Sequence, residues 1–235
     1  FTSLRDGPQC FSSKEASPDH FWLLNTSMEG FKLILGSGSA SRKEILGEMG
    51  LEFEVLKADI DERAIRHEDP ATLVSILGNK KADAILERMN SHGVPEYEGE
   101  VFLLTGDQVV VHNGKILEKP LDEKEARTFI EGYNRAPART VGSIVITNVK
   151  TGERFESLDT AEVYFHEIPG EVIDKLIEEG EVFYCAGGLK VEDPLVSRYV
   201  DHIAGSMDSV MGLSKAIVEQ LLKKAMESAS AAKVV

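Results

Sequence analysis

Short apolar runs mark the predicted strands of this chain from residue 31 onward. Each run is either continuously apolar or alternates with polar residues, and turn-forming residues bound it. The predicted strands are residues 31–35, 51–56, 101–111, 115–117, 141–147, 161–165 and 182–186. His112-Asn113-Gly114 lies between the third and fourth of them, and an Asn-Gly pair in that position indicates a β-hairpin.

The predicted helices combine apolar residues at helical spacing with recognisable ends. Asp69-Pro70 begins one of them, because aspartate caps free amides and proline suits the first turn. Ser41 to Glu44 matches a capping box, and Gly50 is a typical stop for the helix that follows it. The predicted helices are residues 41–49, 69–89, 122–133, 170–179 and 212–225.

Strands and helices intermix without the regular alternation of a doubly wound sheet. The pattern therefore predicts a mixed α/β fold, either as one large domain or as two lobes. The folded domain is expected at residues 31–226. A Ser-rich extension at residues 1–30 is predicted to be disordered, and an Ala- and Ser-rich tail at residues 227–235 is predicted to fray.

Composition narrows the class of protein. Hydrophobic residues make up 42% of the 235 positions, enough to bury a sizeable core. The net charge of -14 argues against binding a nucleic acid polymer but leaves room for a local basic pocket around a small anion. No apolar run has the length of about 18 residues that suggests a membrane helix. The two cysteines, Cys10 and Cys185, favour a reducing compartment and so the cytoplasm.

A Gly- and Ser-rich loop, residues 36–40, joins the first predicted strand to a predicted helix. Glycine lets a ligand approach the backbone closely, and a helix N-terminus presents free N–H groups to phosphate. Arg42 and Lys43 stand in the first turn, where cations oppose the helix dipole unless an anion binds there. The loop is thus a candidate phosphate site, and the alternative is a flexible loop with a solvated basic turn.

Two charged residues interrupt apolar patterns. Lys81 lies four residues from both Leu77 and Ile85, so it falls on or beside the apolar stripe of its helix. It either extends to the surface along its long stem or points into a cleft at an anion. Asp107 follows a glycine within a strand-like run, where a carboxylate must be paired, metal-bound or exposed in a cleft. A bulge or turn aspartate is the alternative.

Three further segments are weak signals when each is taken alone. Lys119 precedes a proline, which holds its backbone extended. Gly187-Gly188 permits close approach of a flat group, and Glu192 behind it offers a carboxylate to the edge of a base. The acidic run at residues 59–62 offers oxygen ligands for a divalent cation, although such runs are more often solvated loops.

Together and in order, these segments resemble the Maf family of nucleotide pyrophosphatases. The resemblance covers residues 32–222, nearly all of the predicted domain. It rests on Leu35-Gly-Ser-Gly-Ser-Ala-Ser-Arg-Lys43, Asp61-Glu62, Lys81-Ala82, Asp107, Lys119-Pro120, Ala186-Gly187 and Gly205-Ser-Met-Asp-Ser-Val-Met-Gly-Leu213.

The resemblance implies a fold and an activity. The expected fold is an elongated, twisted, mixed sheet flanked by helices, with two lobes around a central cleft. The expected reaction is hydrolysis of a nucleoside triphosphate to the monophosphate and pyrophosphate. The resemblance implies Asp107 as the catalytic residue, Glu62 as a ligand of Mg²⁺ or Mn²⁺, and a homodimer. The residues implied to bind substrate are Ser37, Ser39, Arg42, Lys43, Lys81 and Lys119.

Three residues bear on the choice of base. Gln108 and Glu192 resemble the branch of the family that hydrolyses 7-methyl-GTP, and a carboxylate at Glu192 can accept the N–H groups of a guanine edge. Ser41 stands where bacterial members of that branch often carry a bulky aromatic residue. A broader pyrophosphatase acting on dTTP, UTP or damaged nucleotides is an alternative. A non-catalytic nucleotide sensor that regulates cell division is another.

Overall fold

The computed structural model describes residues 30–92 and 99–232. The predicted disordered extension lies outside these ranges except for Gly30. Residues from Phe31 onward form one compact unit. Within the described ranges, no helix has both the length and the apolar character needed to cross a membrane.

Eight strands form a single mixed sheet. They are β1 (Phe31–Leu35), β2 (Phe53–Val55), β3 (Glu100–Thr105), β4 (Gln108–His112), β5 (Lys115–Leu117), β6 (Ala138–Asn148), β7 (Arg154–Phe165) and β8 (Val200–Ala204). The α-helices of the described ranges are α1 (Ala40–Glu48), α2 (Pro70–His92), α3 (Glu123–Gly132), α4 (Gly170–Glu179), α5 (Pro194–Ser197), α6 (Met207–Val210) and α7 (Lys215–Ala232). This arrangement confirms the predicted mixed α/β sheet flanked by helices.

The long strand β6 organises the sheet. β1 pairs in parallel with β2 and β3, and the remaining pairs are antiparallel. One edge of β6 pairs with β4 near its beginning and with β3 near its end, while its other edge pairs with β7. β3 and β4 therefore part at the middle of β6, where Gly106-Asp107 connects them.

The connection between β3 and β4 corrects the prediction of one strand over residues 101–111. A Cβ added to Gly106 would lie 2.1 Å from the carbonyl oxygen of Ser143, so the two backbones come too close for a side chain. Beyond Gly106, the N–H of Asp107 donates to Ser143 Oγ over 3.1 Å, and the N–H of Ser143 donates to the Asp107 carbonyl over 2.8 Å. This pairing fixes the backbone of Asp107 on β6.

The predicted hairpin is confirmed. Asn113 and Gly114 both have positive φ, 49° and 73°, as a tight two-residue turn between antiparallel strands requires. The register pairs His112 with Lys115. The hairpin brings the chain back along β4, and Lys119, two residues after β5, lines the same cavity as Asp107.

Helix α2 covers one face of the sheet. Its first turns bury Leu73 and Leu77 against Val109 and other strand residues, and its later turns bury Ile85 in a second cluster. Truncating a buried leucine or isoleucine of this kind to alanine typically destabilises a protein by about 2–5 kcal/mol. The burial of this stripe sets the direction in which Lys81, on the same face, must point.

A separate core lies on the other side of the cleft. It packs α3, α4, the ends of β6 and β7, and the segment before α5, with Ile130, Tyr133, Phe165, Ile173 and Val196 among its buried members. Both packed regions belong to the one compact unit that begins at Phe31. The two regions provide opposite walls for the cavity described below.

Three local predictions need correction. Residues 182–186 form no strand. Two 3₁₀ turns, Glu181–Tyr184 and Ala186–Gly188, take up this segment, with Cys185 between them, and the positive φ of Gly187 and Gly188 is incompatible with an extended strand. The last helix begins at Lys215 instead of residue 212. It also continues to Ala232, through residues predicted to fray, and there Ala229 is buried.

Candidate active site

A cavity of about 670 Å³ opens between the two packed regions. Its walls come from the loop between β1 and α1, from α2, from the β3–β4 connection and from residues 184–192. Ten of the eleven predicted site residues line it: Ser37, Ser39, Ser41, Arg42, Glu62, Lys81, Asp107, Gln108, Lys119 and Glu192. Side chains far apart in sequence therefore converge on one space.

Asp107 and Lys81 form a buried ion pair at the centre of the cavity lining. Lys81 Nζ donates to Asp107 Oδ1 over 2.6 Å, and the two residues are 8% and 9% exposed. Lys81 Nζ also lies 3.1 Å from Oε1 of Glu62, whose side chain is half exposed. One ammonium group thus joins two carboxylates. Of the two directions considered for the Lys81 side chain, the structure shows the one that points into the cleft and not the one that extends to the surface.

Hydrogen bonds through Ser143 and Thr105 hold the backbones that carry Lys81 and Asp107 at a fixed distance from each other. Ser143 Oγ donates to the carbonyl of Val74 on α2 over 2.6 Å and accepts the N–H of Asp107. Thr105 Oγ1 also donates to the carbonyl of Gly78, one turn before Lys81. The helix carrying Lys81 and the connection carrying Asp107 are therefore tied at two points.

Burial raises the pKa of the Asp107 carboxyl above its ordinary value. The positive charges of Lys81 and Arg42 oppose this effect, and the negative charge of Glu62 adds to it. A raised pKa makes a carboxylate a better proton acceptor, which is the direction that general-base chemistry requires.

Arg42 clamps the site from the side of α1. Its Nη1 donates to the carbonyl of Gly106 over 2.8 Å, and its Nε donates to the carbonyl of Gly212 over 2.9 Å. Burial lowers the pKa of this guanidinium, while the charges of Asp107 and Glu62 counteract that effect. The arginine therefore supports the Asp107 connection as well as facing the cavity.

The loop between β1 and α1 presents a helix N-terminus to the cavity. The N-cap is Ser39, whose Oγ accepts the N–H of Arg42, and not Ser41 as the capping-box pattern predicted. Ser37 Oγ accepts the N–H of Ser39 over 3.2 Å. Ser41 lines the cavity from the first turn. A Gly/Ser loop on a helix N-terminus suits an anionic group such as phosphate.

Lys43 is the one predicted site residue that does not line the cavity. It follows the buried Arg42 on α1, and successive residues of an α-helix point about 100° apart. With Arg42 turned inward to the Gly106 carbonyl, Lys43 projects away from the cavity. The predicted contact of Lys43 with substrate stays a prediction.

The opposite wall is built on close backbone packing. The N–H of Gly187 donates to the carbonyl of Glu118, next to Lys119, and Tyr133 Oη donates to the carbonyl of Gly187 over 2.6 Å. A Cβ at Gly187 would lie 2.7 Å from Tyr133 Oη, so glycine is required there. This packing brings Lys119 and Glu192 to the same cavity.

The cavity also contains residues to which sequence reasoning assigned no individual role. Lys57 lines the cavity beside the β1–α1 loop, although in sequence it only follows a predicted strand. Tyr184 also lines it, and this residue is 74% exposed. Lys190 and the free thiol of Cys185 complete this wall, and burial raises the pKa of that thiol.

Gln108 has a fixed amide. Its Nε2 donates to the carbonyl of Ser209 over 2.8 Å, and its Oε1 would lie 3.3 Å from a Cβ at Gly212. The residue is half-buried and lines the cavity. It therefore fastens the segment around α6 to the site and contributes to the shape of the wall.

The donor set for a divalent cation is small. Among residues 30–92 and 99–232, no group of three histidine, cysteine or acidic residues is arranged to hold a metal. The two nearby carboxylates, Asp107 and Glu62, share Lys81. Protein-bound Mg²⁺ is commonly held by one or two carboxylates together with substrate phosphates. The residues present fit such a cation only when a phosphate chain supplies further ligands.

A buried, lysine-paired aspartate facing a Gly/Ser helix N-terminus defines a hydrolytic site for phosphate-bearing substrates. Comparison with known proteins agrees with this class. Residues 32–225 match the family described as Maf-like protein. The chain therefore belongs to the Maf family, as its motifs predicted.

Curated relatives carry two names. The chain is 39% identical to the 7-methyl-GTP pyrophosphatase of Dictyostelium discoideum, across 82% of this chain and 96% of that protein. It is 34% identical to the dTTP/UTP pyrophosphatase of Clostridium acetobutylicum, across 77% and 92%. It is 30% identical to the 7-methyl-GTP pyrophosphatase of Idiomarina loihiensis, across 81% and 93%. All three relatives are named as pyrophosphatases, the enzyme class predicted from the motifs.

Proposed function

We propose that this chain hydrolyses the bond between the α- and β-phosphates of a nucleoside triphosphate, releasing the monophosphate and pyrophosphate. The single observation that carries the proposal is the buried pair of Asp107 and Lys81 in the cavity lining, opposite the β1–α1 loop. Membership of the Maf family and the names of the relatives support it.

Asp107 acts as the general base. It accepts a proton from a water molecule as the water oxygen bonds to the α-phosphorus, and the bond from that phosphorus to the bridging oxygen breaks. The electron pair leaves with pyrophosphate. A positioned base typically contributes about 10²–10⁴-fold in rate. Lys81 orients the carboxylate, and its positive charge opposes the rise in the Asp107 pKa that burial causes.

The loop between β1 and α1 binds the phosphate chain. Ser37 and Ser39 precede α1, and Ala40 and Ser41 of its first turn also line the cavity. The N–H groups of a first helical turn have no partner within the helix and suit a phosphate. Lys119 faces it from the opposite wall. Charged and dipolar groups held in place before the reaction stabilise the negative charge that moves to the leaving group.

Mg²⁺ or Mn²⁺ fits this site in company with the substrate. Glu62 and Asp107 would hold the cation together with phosphate oxygens. When bound, it would supply Lewis-acid polarisation of the phosphates and lower the pKa of a bound water. Lys81, which already joins the two carboxylates, would share them with the cation.

We further propose 7-methyl-GTP or a similarly modified purine nucleotide as the preferred substrate. Glu192 faces the cavity and can accept the two N–H groups on a guanine edge. Of the aromatic rings that line the cavity in the described ranges, Tyr133 and Phe165 are buried, whereas Tyr184 is exposed. Tyr184 therefore supplies a face for stacking that Ser41 cannot. A methylated guanine carries positive charge, which strengthens such stacking.

Pyrophosphate release across a nucleotide panel tests the proposal. Purified protein with Mg²⁺ or Mn²⁺ is offered 7-methyl-GTP, GTP, dTTP and UTP, and the Asp107→Asn variant is the control. Higher kcat/KM for 7-methyl-GTP, lost in the variant, is expected. Equal rates on UTP and 7-methyl-GTP would instead favour a broader pyrophosphatase. Saturable binding without turnover would point to a nucleotide sensor. The homodimer implied by the resemblance stays a prediction, to be checked by light scattering.

A further inference from the structure

The cavity lining carries a small excess of basic side chains. Five basic side chains and three acidic ones face it: Arg42, Lys57, Lys81, Lys119 and Lys190 against Glu62, Asp107 and Glu192. A fully ionised nucleoside triphosphate carries about four negative charges. A basic side chain attracts it strongly only when no neighbouring carboxylate already neutralises the charge of that side chain. The pairing of each basic residue therefore decides which of them is available to the phosphates.

Most of the basic groups are already engaged. Lys81 joins Asp107 and Glu62, and Lys190 Nζ forms an ion pair with Glu181. The guanidinium of Arg42 donates to two backbone carbonyls. In the described part of the chain, Lys57 and Lys119 are the lining cations whose charged group has neither a carboxylate within ion-pair distance nor a hydrogen-bond acceptor.

Lys57 lies directly over the phosphate-binding loop. A Cβ at Gly38 would be 3.0 Å from Lys57 Cε and 3.5 Å from its Nζ, so the lysine stem crosses the loop in close contact with Gly38. The N–H of Leu56 donates to the carbonyl of Leu35 over 3.0 Å, and Arg88 Nη2 donates to the carbonyl of Lys57 over 2.7 Å. The backbone of Lys57 is thus held on both sides while its side chain stays exposed.

We infer that Lys57 binds the pyrophosphate portion of the substrate and so contributes to selection of triphosphates over monophosphates. This inference rests on the proposed function. In the proposed reaction, the α-phosphate lies next to Asp107 and Lys81. The unpaired ammonium group of Lys57, at Gly38, is then placed to contact the β- and γ-phosphates. An exposed ammonium group at this place can bind the triphosphate and release pyrophosphate while the backbone of Lys57 stays fixed.

The test compares Lys57→Met with the wild-type protein. Methionine keeps an unbranched stem over Gly38 and removes the charge. Affinities for inorganic tripolyphosphate and for GMP are measured by calorimetry at one fixed Mg²⁺ concentration. Affinity for tripolyphosphate is expected to fall by about fivefold to tenfold, the size expected for losing one exposed, charge-assisted hydrogen bond. Affinity for GMP is expected to stay within about twofold, because GMP lacks the pyrophosphate portion.

Two further variants sharpen the result. Lys57→Arg restores the charge and should recover most of the tripolyphosphate affinity. Lys80→Met removes an exposed lysine of α2 that does not line the cavity, and should leave both affinities unchanged. An equal loss in Lys57→Met and Lys80→Met would mean a general effect of net charge and would overturn the inference.

The outcomes separate this inference from the proposed function. Wild-type protein that releases pyrophosphate while Lys57→Met binds tripolyphosphate normally would refute the role of Lys57 alone. Wild-type protein that binds tripolyphosphate in a Lys57-dependent way but never releases pyrophosphate would refute the proposed activity alone. Absence of tripolyphosphate binding by the wild-type protein would overturn the role of Lys57.

Discussion

Lys81 and Asp107, 26 positions apart in sequence, meet as a buried ion pair with 2.6 Å between Nζ and Oδ1. The pair depends on the burial of the apolar stripe of α2 and on the break between β3 and β4. Because the pair is both buried and part of the cavity lining, we expect it to affect the stability of the fold as well as the hydrolysis reaction.

Replacing Asp107 with asparagine should remove the general base while keeping the shape of the side chain. We expect kcat to fall by at least about 100-fold, with nucleotide affinity within a few-fold of the wild type. Pyrophosphate release and calorimetric titration with a nucleotide measure the two effects. Unchanged turnover would exclude Asp107 from the reaction.

The same variant has a distinct signature in the pH dependence of stability. Burial raises the pKa of Asp107 in the folded state, so as the pH falls the carboxylate is protonated at a higher pH in the folded protein than in the unfolded chain. The contribution of this protonation to the unfolding free energy is fully present below the ordinary carboxyl pKa of the unfolded chain. It is lost as the pH rises through the raised pKa of the folded protein. The difference in unfolding free energy, wild type minus Asp107→Asn, should therefore decrease with rising pH in urea titrations. A difference that increases with pH would contradict the stated burial effect.

Replacing Lys81 with methionine leaves the Asp107 carboxylate buried without its partner. Breaking a buried ion pair from one side commonly destabilises a protein by about 3–5 kcal/mol. The double variant Lys81→Met with Asp107→Asn should recover part of this loss, because the uncompensated charge is gone. Urea unfolding of both variants gives the comparison, and additive losses would show that the two side chains are energetically independent.

Tyr184 should contribute to binding of the nucleotide base and not to binding of the phosphates. We expect Tyr184→Ala to raise KM for 7-methyl-GTP by roughly threefold to tenfold, in line with the loss of one cation–π contact. Tyr184→Phe keeps the ring and should behave like the wild type. Inorganic tripolyphosphate affinity should not change in either variant, and an equal loss there would assign Tyr184 a structural role.

Gly106 should tolerate no side chain. Gly106→Ala places a Cβ 2.1 Å from the Ser143 carbonyl oxygen, so the β3–β4 connection must move, and we expect a loss of about 1–3 kcal/mol or more. Gly47→Ala is the matched control, because Gly47 lies within α1 with nothing within 4 Å of the added Cβ. That variant should gain up to about 1 kcal/mol from helix propensity. Thermal unfolding of both proteins decides the point.

Local pattern was sufficient for most elements. The strand at residues 31–35, the hairpin turn at Asn113-Gly114 and the helix at residues 170–179 were predicted from apolar spacing and turn residues alone. These features depend on neighbours within a few residues, so the physical cause is contained in the segment. The motifs in sequence also identified the family and ten of the residues that line the cavity.

Long-range contacts account for what local pattern missed. The strand predicted over residues 101–111 is broken because its two halves pair with different parts of β6, and the connection between them is fixed by Ser143, 36 positions beyond Asp107. Residues predicted to fray continue α7 because Ala229 finds a buried site and Ser228 Oγ donates to Glu153. The sequence carried no local signal for either contact.

The division between the two sources of information is physical. By itself the sequence determined the apolar periodicities, the turn positions and the chemical types of the site residues. Only the tertiary structure decided that Arg42 turns inward while Lys43 turns away, and that Lys57 crosses Gly38 with its charge unpaired. Direction and pairing of a charged side chain depend on what the rest of the chain places around it, because Coulomb energy and desolvation are set by distance and burial in space.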